Sequence, residues 1–167
     1  NSSIKNTYNI GIGPQAGNDV TIGEKNILIG AFSGDAITEG LHNVALGYAT
    51  LGANVDSDKN VAIGSNALAA MTGTAGDTYN VAVGYNAGYA VTSGTENTLI
   101  GGLAGDSLTI GTSNVALGAH ALGANVAANR NTAIGHSALS NMTAASATNV
   151  YNTAVGFYAG QAMTTGI

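Results

Sequence analysis

Residues 43–72 read NVALGYATLGANVDSDKNVAIGSNALAAMT, two phrases of one form, each opening on Asn and reaching Gly four residues later. The same Asn-x-x-x-Gly signature opens at Asn9, Asn26, Asn43, Asn60, Asn80, Asn97, Asn114, Asn131 and Asn152. Its glycines are Gly13, Gly30, Gly47, Gly64, Gly84, Gly101, Gly118, Gly135 and Gly156. Successive spacings are 17, 17, 17, 20, 17, 17, 17 and 21 residues. A short unit repeated at fixed period cannot bury its apolar face alone and must stack on its neighbours, which is the sequence mark of a solenoid.

The longer spacings follow every fourth coil and define a super-repeat of 71 or 72 residues. The third coils, NVALGYATLGANV (43–55) and NVALGAHALGANV (114–126), are near copies, as are the fourth, NVAIGSNALAAMT (60–72) and NTAIGHSALSNMT (131–143). Thr7-Tyr8-Asn9 echoes Thr78-Tyr79-Asn80 and Val150-Tyr151-Asn152. Residues 1–8 therefore read as the tail of a preceding coil. Residues 9–79 and 80–151 read as two four-coil units and 152–167 as the start of a third, all in one continuous solenoid domain. The sequence reads as a segment of something longer.

Counting each coil from its Asn as position 1, position 4 is always a branched aliphatic residue and position 2 is Ile, Val or Thr. Bulky, mostly β-branched side chains two residues apart mark one face of a strand. A strand is expected over positions 1 to 5, and a second over positions 11 to 13, where apolar-Thr pairs such as Ile37-Thr38 and Leu108-Thr109 recur. Frequent Gly, each about 1 kcal/mol worse than Ala in a helix interior, argues against helices. The expected fold is all-β, a parallel β-solenoid or β-roll of about nine 17-residue coils, roughly 43 Å long at the spacing of hydrogen-bonded strands. Positions 2 and 4 are expected to face the core. Position 3, which is Gly, Ala or Leu and never polar, is expected to face outward. A strand apolar on both faces calls for a further partner, and a symmetric oligomer supplies one.

The Asn column is read as a structural ladder of stacked amides, with a ligand-binding row as its rival. The Gly column supplies either a backbone angle barred to other residues or a close backbone approach.

Composition narrows the function. Only 8% of the 167 residues are charged, against about 25% in ordinary domains, and there is no Cys. Four Lys+Arg residues make no basic patch for nucleic acid, and no run of 18 apolar residues is present for membrane insertion. With 45% hydrophobic residues and a net charge of -5, disorder is not expected either.

The phrases NVAIGSNALA (60–69), NVAVGYNAG (80–88), NTAIGHSAL (131–139) and NTAVGFYAG (152–160) resemble the Asn-x-Ala-hydrophobic-Gly repeats of bacteriophage tail-fibre proteins. They are also similar to the head repeats of YadA-like trimeric autotransporter adhesins. The resemblance covers residues 9–167 and implies a roll-like solenoid in each of three chains packed about a common axis, a homotrimer. Coils of 17 residues are longer than the autotransporter head repeat, which favours the tail-fibre side.

Chemistry-bearing residues are sparse. A glycosidase needs two carboxyl groups about 5 to 10 Å apart. Asp35 and Asp106, at equivalent positions, stand a super-repeat apart, roughly 19 Å by strand stacking. His42, His120 and His136 share no metal-ligand spacing. No catalytic residue, cofactor site or metal site is assigned. The lengthened fourth coils, Gly73 to Tyr79 and Ala144 to Tyr151, offer candidate surface contacts in Asp77, Tyr79 and Tyr151, or else cover a seam between chains. Tyr48, Tyr85, Phe157 and Tyr158 suit inter-chain packing or sugar binding. The Thr column at position 13 raises an ice-binding reading, against which Val55 and Val126 interrupt it.

The expected function is that of a structural segment, not an enzyme, in a phage tail fibre or similar extracellular appendage. It would supply a rigid shaft and contact with a host-surface glycan or protein, located in a virion fibre or at a cell surface. The alternative is the head of a bacterial trimeric adhesin. Ice binding and polysaccharide depolymerisation rank below both.

Overall fold

The main sheet takes three residues of extended backbone from each coil, because the Gly that follows turns the chain. In the computed structural model, which describes residues 7–73, 75–143 and 149–165, the strands are β1 (Ile10–Ile12), β2 (Ile27–Ile29), β3 (Val44–Leu46), β4 (Ser57–Asp58), β5 (Val61–Ile63), β6 (Gly76–Asp77), β7 (Val81–Val83), β8 (Thr98–Ile100), β9 (Val115–Leu117), β10 (Thr132–Ile134) and β11 (Thr153–Val155). Residues 1–6, Thr74, 144–148 and 166–167, which include most of the second lengthened loop, lie outside the described residues.

Nine strands form one parallel sheet in the order β1-β2-β3-β5-β7-β8-β9-β10-β11. Register is the same at each step: Val44, Ala45 and Leu46 lie against Val61, Ala62 and Ile63. The chain is thus an all-β parallel solenoid, nine strands joined by eight complete turns, with no helix among the described residues. β4 and β6 form a separate parallel pair beside the first lengthened coil, and a single bridge between Asn129 and Asn149 occupies the same place in the second unit.

Two expectations are corrected. The faces of the strand are the reverse of those expected: position 3 points inward, with Leu28, Ala45, Ala62, Ala82, Leu99, Ala116 and Ala133 at 0 to 1% exposure. Positions 2 and 4 point outward, and Ile12, Leu46 and Leu117 are 58%, 42% and 44% exposed. From the sheet the lumen of so short a coil admits Ala, or Leu where Gly stands across from it, and the β-branched residues of the strand lie outside.

The second strand is also absent, and positions 11 to 13 lie in turns. Three successive N–H groups, of Thr21, Ile22 and Gly23, converge on the Thr38 carbonyl at 3.0 to 3.2 Å. Convergence on one acceptor is incompatible with a ladder, in which each N–H meets its own carbonyl.

In six of the nine coils the lumen is packed by exchange of volume between positions 3 and 9; in the fifth, where Ala82 stands with Gly88, Leu68 and Leu99 of the neighbouring coils reach into the space. In the second and sixth coils position 3 is Leu28 or Leu99 and position 9 is Gly34 or Gly105. A Cβ added at these glycines would stand 2.7 Å from Leu28 Cδ2 and 2.9 Å from Leu99 Cδ2. In the third, fourth, seventh and eighth coils position 3 is Ala and position 9 is Leu51, Leu68, Leu122 or Leu139, all fully buried. Position 12 completes the core with Ile37, Met71, Val91, Leu108 and Met142. Large opposite small keeps the lumen at interior density.

Backbone conformation is unusual along two whole columns. The nine residues before the ladder Asn, from Tyr8 (φ 52°) to Tyr151 (φ 50°), are left-handed, as are the nine at position 7, from Gln15 (φ 57°) to Tyr158 (φ 54°). With the four leucines at position 9 the non-Gly residues of this kind number 22 among the described residues. Each costs about 1–2 kcal/mol relative to the right-handed conformation. They are held by the stack: His42 N–H donates to the Glu24 carbonyl at 3.0 Å and Phe32 N–H to the Pro14 carbonyl at 2.9 Å, one coil back.

At the turn glycines both sequence readings apply together. Gly101 has φ +131°, and a Cβ there would stand 2.6 Å from the Gly118 carbonyl carbon. Its neighbour Gly102 has nothing within 4 Å of that position. Gly101→Ala is therefore expected to lower unfolding free energy by about 3 kcal/mol or more, because strain and clash act together. Gly102→Ala should be neutral or stabilising by up to about 1 kcal/mol. Urea titrations of the two variants test this contrast, and equal stabilities would contradict it.

Candidate functional site

The recurrent polar residues are engaged by the fold itself. In the ladder each Asn side-chain oxygen accepts the backbone N–H of the next ladder Asn: Asn26 Oδ1 from Asn43 at 2.9 Å, Asn80 Oδ1 from Asn97 at 3.0 Å, Asn97 Oδ1 from Asn114 at 3.0 Å. In the 17-residue coils the amide nitrogen closes its own coil by donating to the position 15 carbonyl, as Asn26 Nδ2 does to Gly40 at 2.8 Å and Asn97 Nδ2 to Gly111 at 2.8 Å, whereas Asn60 and Asn131 donate to the preceding ladder Asn and to the Asp58 and Asn129 carbonyls. From Asn26 to Asn152 these side chains are buried, at 0 to 8% exposure. Both ends of the amide are thus engaged inside the stack, which leaves the row no outward-facing group for a ligand.

The Thr column behaves likewise. Thr21, Thr92 and Thr109 donate their hydroxyls to the carbonyl one coil on, at 3.1, 3.2 and 2.9 Å. A hydroxyl row turned onto its own backbone is a poor template for ordered water.

The first lengthened coil gathers a polar cluster. The β4 and β6 pairing brings Asp77 beside Lys59, with Nζ to Oδ2 at 2.6 Å. The Tyr79 hydroxyl donates to the same carboxylate at 2.6 Å, and Lys59 Nζ lies 3.2 Å from that hydroxyl and 5.1 Å from the ring centroid. In the second unit Arg130 takes the place of Lys59 and Tyr151 that of Tyr79, with Nη1 to hydroxyl at 3.1 Å and the guanidinium 5.6 Å from the ring centroid. Asn149 stands where Asp77 does, so this pair lacks the carboxylate. Sequence reasoning singled out Asp77, Tyr79 and Tyr151 but missed both cations. The available signal was the column before the ladder Asn, in which Lys59 and Arg130 each precede a Tyr by one coil. The two clusters lie about four coils apart, roughly 19 Å by strand spacing.

The aromatic residues form two groups on the outer surface. Phe32 and Tyr48 meet edge to face with centroids 5.8 Å apart. His120, His136, Phe157 and Tyr158 form a chain in which His136 stacks on Phe157 at 5.4 Å and Phe157 meets Tyr158 at 4.2 Å. Tyr85, 59% exposed, stands apart from these pairs.

Among the described residues no group of three or more His, Cys, Asp or Glu side chains is placed to hold a metal ion. Burial pushes the Asp106 carboxyl up, opposed by its own and the Ser107 backbone hydrogen bonds and by His120 nearby. Its counterpart Asp35 lies four coils away, so the two cannot flank one bond.

The largest continuous feature is the outer face of the nine-stranded sheet. Positions 2 and 4 present two columns of Ile, Val, Leu and Thr, with Ile10, Ile12, Ile27, Leu46, Leu117 and Val155 among the exposed members. No charged residue falls in either column. No family model, curated protein or solved structure matches this chain.

Two outcomes check these assignments. In Asn97→Ala the Asn114 N–H and the Gly111 carbonyl lose buried partners, so stability should fall by about 2–5 kcal/mol, measured by urea unfolding; a loss under about 1 kcal/mol would remove the ladder from the account. Asp77 is held below its ordinary value by the hydrogen bond from Lys59 first and Tyr79 second, and Lys59 is held above its own by the same contacts. A depressed carboxylate stabilises above its unfolded value, about 3.9, and loses this as pH falls through the lower folded one. A raised ammonium stabilises below about 10.4 and loses this as pH rises through the higher folded value. The cluster should therefore persist between those limits. The carboxyl carbon of Asp77 should titrate below ordinary aspartate by NMR and move upward in Lys59→Met.

Proposed function

We propose that the chain is a shaft segment of an extracellular or virion fibre, of the kind its repeats resemble in phage tail fibres, in which three copies pack along their sheet faces. The observation that carries this reading is the outward-facing pair of aliphatic columns. Two columns about 7 Å apart over roughly 43 Å give a stripe on the order of 300 Å² per chain. A contiguous apolar patch of about that size on a monomer is often functional. The stripe repeats every strand, about 4.8 Å, so a partner interdigitates along its whole length only if it carries the same period. Another copy of this chain does so.

The remaining features agree with a spacer. Recurrent polar groups hold the rod together, charge is scarce, and hydrogen bonds run along the axis from coil to coil. The proposed contacts with a host-surface glycan or protein are the lengthened coils bearing Asp77, Tyr79 and Tyr151, where the repeat is broken. The reading assigns no catalytic step.

Light scattering is expected to give three times the chain mass. Leu117→Lys places a charge on the outer column and should reduce the mass to one chain while the circular dichroism of the sheet persists. Ala116→Lys, one residue away but facing the lumen, should abolish the fold. A monomeric parent protein, or a trimeric Leu117→Lys variant, would count against assembly through this face.

A further inference from the structure

A partner face built from identical steps has a weakness. Sliding one chain along another by one coil replaces Val44 and Leu46 with Val61 and Ile63, and the aliphatic contacts are almost unchanged. Sheets of uniform pattern specify register weakly for this reason. Closure supplies part of the answer, since three chains related by a pure rotation must lie level, whereas a stagger repeated around the ring does not close. Closure alone does not stop chains from pairing with an offset before the third arrives.

Position 6 breaks the degeneracy. It follows the turn glycine, next to the outer column at position 4, and it does not repeat coil by coil. Tyr48 lies between Ala31 and Ser65 in this column, and Tyr85 between Ser65 and Gly102. Both rings are more than half exposed, at 56% and 59%. Tyr48 is held upright by its edge-to-face contact with Phe32 at 5.8 Å. Within this column small residues flank each of these rings, so a shift of one coil sets both against Ala, Ser or Gly, whereas the column's other rings, His136 and Phe157, stand in adjacent coils and still meet each other after such a shift. A shift of two coils restores only one ring pair. Only level chains bring Tyr48 to the height of Tyr48 and Tyr85 to that of Tyr85, where exposed rings can pair.

We propose that Tyr48 and Tyr85 set the axial register between copies of this chain, acting as studs beside an otherwise slippery apolar face. The inference rests on the self-association proposed above.

The chain contains no Cys, so introduced cysteines report register directly. Leu117→Cys and Ile134→Cys lie on the outer column in adjacent coils, far from both tyrosines. Chains carrying one or the other are co-expressed, oxidised and digested, and disulfide-linked peptides are counted by mass spectrometry beside light scattering of the intact assembly. In the parent background like-with-like disulfides should dominate. In Tyr48→Ala with Tyr85→Ala, the trimer mass should persist while the mixed disulfide rises at least about fivefold, from the loss of ring pairs at two levels. A parent protein that stays monomeric overturns the assembly reading itself. A trimer whose disulfide pattern is already mixed, or does not change in the double variant, overturns register setting alone. A double variant that no longer assembles overturns it too, because the rings would then be general contact area.

Discussion

Everything in this molecule depends on hydrogen bonds that run along the axis from one coil to the next, and the ladder Asn is where they are concentrated. One side chain closes its own coil through the position 15 carbonyl and holds the next coil through its backbone N–H. The bond to the next coil is made across 17 residues in the ordinary coils and across 20 and 21 in the lengthened ones, so the ladder continues unbroken through both. Extra residues enter only in the lengthened fourth coils, ahead of the next Asn. There a second small strand pair, Ser57–Asp58 with Gly76–Asp77, accommodates the first of them.

A coil of that length has a narrow interior, and this decides which side chains go where. Alanine or leucine faces the lumen from the sheet, leucine or glycine stands across from it, and Met, Val, Ile or Leu fills the remaining corner, with Asn54 and Asn125 there in the third and seventh coils. Larger β-branched residues of the same strand have no room inside. They become the outer surface, and a stack of nine such strands makes a continuous apolar stripe without any single residue being out of place. The apolar outer face of the rod is thus fixed by the geometry of its core.

The repeat, the strand at positions 2 to 4 and the parallel stacking were legible because period and residue type report them directly. The facing of the strand was not. Valine and isoleucine beside alanine suggest that the larger residues are interior, an inference that holds when the core is wide. Here Leu28 and Leu99, the large residues at position 3, were the available clue, since each coincides with Gly at position 9. The apolar-Thr pairs were misread because an inward Ile37 beside an outward Thr38 has strand periodicity, whereas three converging N–H groups make the segment a turn. Lys59 and Arg130 escaped notice because their tyrosine partners are distant in sequence and adjacent only once the coils stack.

The left-handed residues carry a consequence for how such a chain comes to exist. Nothing in Lys25, Glu96 or Arg130 favours a positive φ, and the bonds that hold them there reach to the coil before. A coil's shape is therefore copied from its neighbour, as a layer is copied at the face of a growing crystal. The first coil is the difficult one and each later coil finds its mould already made, so length can be added or removed in evolution without redesigning the unit. The same logic makes the open end of any such stack a live template for a further coil.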